Sequence, residues 1–175
     1  MKLINKLRAN FQLSNLLIRI FFVLAYVLYS WQTSLAVATV MMEQTLGGSF
    51  NLFTAIMASV ILGVILMFLV PVLCNVFLNY SHFYTVPRAE FALLTHLFVA
   101  IFFAISGLLK LVNLFTPILV VWGNVLFPVL TSIGCAIWFY HVTSNLYFNN
   151  QTKPYYFRNL SIVYIILLVV AEVLL

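Results

Sequence analysis

From Leu52 to Leu78 the chain carries no charged side chain, and four more stretches nearly match it, at about 17–40, 91–112, 118–141 and 155–175. A helix needs about 20 apolar residues to cross the hydrocarbon core of a bilayer, and each stretch is close to that length. With 65% hydrophobic and 6% charged residues among 175, no soluble fold of this size could hide the apolar surface. The sequence therefore predicts an all-α polytopic transmembrane helical bundle of about five spans. Connections are short, so residues 16–175 read as one domain. Gly47, Gly48 and Ser49 break the first pair of spans, Pro87 breaks the second, and Pro117 and Pro154 precede the fourth and fifth.

Residues 1–15 are too polar to insert. Leu3, Ile4, Leu7 and Phe11 share one helical face, with Lys2, Lys6, Arg8 and Asn10 around it. This pattern predicts a basic amphipathic segment lying on the membrane surface, with a frayed basic tail as the bland alternative. The apolar run at 20–29 followed by Ala36-Val37-Ala38 also has the outline of a cleavable secretory signal, although hydrophobicity continues to Met42 and favours a retained span.

The net charge of +5 comes from eight cations and three acids, none of them aspartate, which is membrane-topology charge rather than a nucleic-acid patch. Lys2, Lys6, Arg8, Arg19, Arg88, Lys153 and Arg158 fall on one face of a five-span bundle, and Lys110 alone falls on the other. The expectation is a multi-pass protein of the cell membrane, N-terminus cytoplasmic and C-terminus outside.

Polar groups inside lipid are costly and so mark where function or packing concentrates. His82, Arg88, Glu90, His96 and His141 form a candidate polar cluster at the cytoplasmic face. Paired imidazoles can ligate haem or a transition metal, and an acid–histidine pair can relay protons. The spacing matches no metal motif, and interfacial packing accounts for the same residues, so no metal or cofactor is expected. Lys110 with Glu43 or Glu172 makes a candidate outer ion pair, with snorkelling as the simpler alternative. Cys74 and Cys135 read as free packing thiols, and the N-x-[S/T] tripeptides at Asn79, Asn150 and Asn159 as chance. Ser30, Gln32, Thr33 and Ser34, with Asn124, Thr131 and Ser132, form polar stripes that can line a wet path or bond between helices.

Small residues recur every four positions at Ser30, Ser34 and Ala38 and again at Ala55, Ser59 and Gly63. Such grooves let two backbones approach, and the short connection predicts that the two face each other, with Ser34 and Ser59 at similar depth. Pro71 and Pro128 lie within spans and each frees a carbonyl one turn earlier. Pro71-Val72-Leu73 and Pro128-Val129-Leu130 hint at a duplicated two-helix unit. Gly107-Leu108-Leu109-Lys110-Leu111 resembles a stretch of the small four-helix membrane proteins of the DoxX type, over this one helix, and implies nothing further about activity.

No nucleophile–histidine–acid set, phosphate loop or paired aspartates are present. The sequence therefore points to a non-enzymatic accessory or structural subunit, partnered by the bilayer and by a larger membrane complex or further copies of itself. A small transporter or channel component is the alternative, and an intramembrane haem or redox protein the third.

Overall fold

A computed structural model describes residues 14–30, 52–115 and 120–174. Among them the chain is wholly helical, with five helices and no strand: α1 (Ser14–Ser30), α2 (Leu52–Tyr80), α3 (Arg88–Phe115), α4 (Val120–Tyr147) and α5 (Lys153–Leu174). Two segments, Phe53–Tyr80 and Arg88–Val112, are long and apolar enough to cross a membrane by length and composition. The surface segment expected at 1–15 and the positions Ser34, Ala38 and Glu43 lie outside the described residues, apart from the start of α1. The helix of Glu172 is described, its side chain is not.

Several helices run past the apolar stretches. Helix α3 begins at Arg88 rather than near 91, directly after Pro87, with Glu90 in its first turn against the positive end of the helix dipole. Helix α4 continues to Tyr147, so His141 does not close it. The extra turns of α4 bury Thr143 and Ser144, which hydrophobicity alone would not assign to a helix interior. Pro71 and Pro128 both sit inside continuous helices.

Helix α2 ends in a Schellman motif. The Phe83 N–H bonds to the Leu78 carbonyl at 2.9 Å and the His82 N–H to the Asn79 carbonyl at 3.1 Å. The motif needs a left-handed residue between them, and His82 supplies it with φ 58°. Phe83 then packs on Phe77 of the last turns, the apolar contact that accompanies this cap. At the other connection the Asn149 side chain accepts from the Gln151 and Thr152 N–H groups, shaping the turn into α5.

Helix α3 is the hub, packing on α2, on α4 and, through Phe103 and Gly107, on α1. Two apolar cores result. One joins α1, α2 and α3 around Phe22, Ala25 and Ala100. The other joins α2 to α5 around Phe77, Phe91, Phe139, Phe148 and Tyr156, at the end where α2 stops and α5 starts. Helix α5 packs on α4 more lightly than α4 packs on α3. Two open grooves flank the α4–α5 seam, of about 430 Å³ beside Ile137, His141 and Phe157 and about 370 Å³ beside Phe98, Cys135 and Val163.

Contact distances at the glycines separate three kinds of site. A Cβ at Gly107 would stand 2.9 Å from the Leu28 backbone carbonyl carbon, so α1 and α3 meet there backbone to backbone. At Gly63 the nearest atoms are the Tyr26 Cδ1 at 3.1 Å and Val23 Cγ1 at 3.5 Å, both side-chain atoms able to shift. Gly134 faces open space. Gly107→Ala is therefore expected to destabilise by about 1–3 kcal/mol through overpacking. Gly134→Ala, with nothing to clash, is expected to add up to about 1 kcal/mol through helix propensity. Unfolding of the two variants side by side checks the contrast, since propensity alone would stabilise both.

Candidate functional site

The five residues expected to converge divide among three environments. His96 is 2% exposed and lies in the interior between the two cores, more than two turns into α3 because that helix starts early. Its Nδ1 is 2.8 Å from the Ala92 carbonyl and its Nε2 2.8 Å from the Met67 carbonyl, with the Phe22 ring T-shaped against it. The Met67 carbonyl has a specific history. It is the oxygen that residue 71 would bond in an unbroken helix, and residue 71 is Pro71, which has no N–H to give. In the tautomer that carries its proton on Nε2, His96 supplies the missing donor from the neighbouring helix.

His82 points outward, its Nδ1 2.9 Å from the Tyr84 hydroxyl. His141 is exposed on α4, beside Tyr140 at the edge of the larger groove. Arg88 donates to the Asn79 side-chain oxygen at 2.9 Å. Glu90 accepts from the Tyr147 hydroxyl at 3.3 Å, a tie between α3 and α4. Each of these five has its own partner, and the three imidazoles face different ways. Among the described residues no group of three histidine, cysteine or acidic side chains is placed to hold a metal ion.

Lys110 reaches across to α1. Its Nζ donates to the Tyr29 carbonyl at 3.2 Å and stands 3.9 Å from the centre of the Tyr29 ring, a hydrogen bond and a cation–π contact together. The Glu43 and Glu172 side chains lie outside the described residues. Cys74 and Cys135 are free thiols, and Cys74 donates to the Thr95 hydroxyl across α2 and α3 at 3.3 Å.

The small-residue stripe of α2 turns inward. Ala55, Ser59 and Gly63 are buried while Phe53, Ile61, Ile65 and Phe68 of the same helix are exposed. Gly63 meets Val23 and Tyr26, which places α1 along this stripe. Tyr26 against Gly63, in antiparallel helices, puts Ser30 level with Ser59. The Ser34 depth match lies outside the described residues.

Sequence reasoning missed Tyr156. It is fully buried, stacked on Phe148 at 4.2 Å and on Tyr140 at 5.7 Å, and its hydroxyl bonds to Thr143 at 2.5 Å. Farther along the seam Ser132 and the Tyr164 hydroxyl bond at 2.7 Å. Ala100, Ala104 and Gly107, spaced four and three apart on α3, are the small-residue signal that could have revealed the close approach of α1.

No protein-family model matches the chain, and neither does any curated protein or solved structure.

Proposed function

We propose that the chain is a small multi-pass integral membrane protein with a non-enzymatic, accessory or structural role, packed beside a larger membrane complex or other copies of itself. The observation that carries this reading is how the interior polar groups are used. His96 to Met67, Cys74 to Thr95, Thr143 to Tyr156, Ser132 to Tyr164 and Lys110 to Tyr29 each tie one helix to another. Polar groups spent as glue between helices fit a scaffold, whereas chemistry or conduction calls for them to converge on one cavity. The outward apolar faces of α2, together with exposed Tyr80, Tyr84, Tyr155 and Phe157 at one end, fit a lipid-facing surface with an aromatic belt. The positive-inside rule then puts that end, with Arg88, Lys153 and Arg158, on the cytoplasmic side of the cell membrane.

Two measurements test the proposal. A reporter active only in the cytoplasm is expected to work after Arg88 or Lys153 and to fail after Leu175; activity at Leu175 would remove one of the five spans. Purification in mild detergent is expected to bring down a stoichiometric partner or a defined homo-oligomer. A lone monomer that carries a solute into proteoliposomes would replace this reading with the transporter alternative.

A further inference from the structure

Between the cap of α2 and the first turns of α5 lies a cleft of about 430 Å³ unlike the two apolar grooves. Tyr80, Ser81, His82, Thr152, Tyr155, Arg158 and Asn159 line it, so it gathers a guanidinium, an imidazole, four hydroxyls and an amide without a carboxylate. We propose that this cleft binds the phosphate of an anionic lipid headgroup.

Three observations carry the assignment. First, Arg158 is unanswered: its one partner among the described residues is the Tyr155 ring, 5.5 Å away. The other cations at this end, Arg88 and Lys153, are held by the neutral oxygens of Asn79 and Asn145. Second, the Ser81 residue is 8% exposed and its Oγ finds no hydrogen-bond partner. A buried hydroxyl left unpaired is costly, and a rotation about the Ser81 side-chain bond that turned it toward an oxygen-rich ligand in the cleft would satisfy it. Third, His82 is held in the left-handed cap conformation, which fixes Ser81 and His82 at the cleft wall instead of leaving them on a loose loop.

A tetrahedral phosphate suits this donor set, because the planar guanidinium can take two of its oxygens while hydroxyl and amide donors take the others. The source is lipid because the rim is aromatic and exposed at Tyr80 and Tyr155, as at a headgroup boundary. In this respect the inference rests on the membrane reading above.

The test uses the purified full-length chain reconstituted into bilayers of phosphatidylcholine with and without phosphatidylglycerol, followed by native mass spectrometry of the retained lipid. Wild-type protein is expected to retain phosphatidylglycerol selectively. Arg158→Gln is expected to weaken that retention about tenfold or more, and Ser81→Ala by a smaller factor, as loss of a charged and a neutral donor implies. Lys153→Gln, which removes the same charge outside the cleft, is expected to change it less than about twofold. Equal loss in Arg158→Gln and Lys153→Gln, or no loss in either, would overturn the site in favour of diffuse attraction. Inorganic phosphate binding tightly in detergent while phosphatidylglycerol shows no preference would overturn the lipid as its source. Failure of the protein to enter phosphatidylcholine bilayers at all would count against the membrane reading, and incorporation without headgroup preference against the cleft alone.

Discussion

Tyr156→Ala is expected to be the most damaging single truncation at the α4–α5 junction, lowering stability by about 3–5 kcal/mol, the usual range for removing a buried aromatic side chain. The ring is stacked between Phe148 and Tyr140 and is fully buried, so truncation leaves a cavity that its neighbours only partly fill. Because α5 packs lightly on α4 beyond this point, with grooves on both sides, the loss should be local before it is global. Hydrogen exchange is expected to rise along α5 and the last turns of α4 while α1 to α3 keep their protection. Tyr156→Phe separates the ring from the hydroxyl. Thr143 keeps its 2.7 Å bond to the Phe139 carbonyl, so this variant should cost only about 1 kcal/mol. A phenylalanine variant as unstable as the alanine one would mean that the hydroxyl, not the stacking, holds α5.

The second large effect is a coupling. His96→Leu leaves the part-buried Met67 carbonyl with no donor, because Pro71 cannot provide one, and should cost about 1–3 kcal/mol. Pro71→Ala restores an N–H in the right place on α2. In that background His96→Leu should lose at least about 1 kcal/mol of its effect, since the carbonyl now has a partner within its own helix. A double-mutant cycle on detergent-solubilised protein measures the difference directly. Additive losses within about 0.3–0.5 kcal/mol would show that His96 and Pro71 do not serve the same oxygen.

This pair also shows where sequence reading stopped. That Pro71 frees a carbonyl follows from proline chemistry alone. That His96 answers it requires the register of α2 against α3, which apolar composition does not encode. The long apolar runs made α2 legible to within two residues and α3 to within three at each end, and the Ala55–Ser59–Gly63 stripe announced an inward face. Tyr156 stands in an aromatic run with Tyr155 and Phe157, which composition alone reads as a set of surface anchors. On a helix, neighbours diverge by about 100°, so only the middle ring of the three turns into the core while the outer two stay exposed. Gly107 was overlooked because its constraint comes from the Leu28 backbone, distant in sequence, and the small-residue spacing of α3 does not by itself name the helix that approaches it. The candidate cluster at the helix ends is not one group in the structure. His96 belongs to the interior, and the polar cleft instead joins His82 to Arg158, which sequence reading had treated only as a topology charge.

The His96–Met67 bond joins residues 29 positions apart, and this separation has a consequence for biogenesis. On the membrane reading proposed above, α2 of a growing chain enters the bilayer before α3 and carries an oxygen without a donor into hydrocarbon, where such a group costs several kcal/mol. The donor arrives only when α3 has been made. A nascent chain stopped before residue 96 should therefore linger at the insertion machinery or be degraded, whereas one extended through α3 should be released into lipid. The proline and the histidine together would act as a checkpoint on synthesis, making the second helix's residence in the membrane conditional on the third.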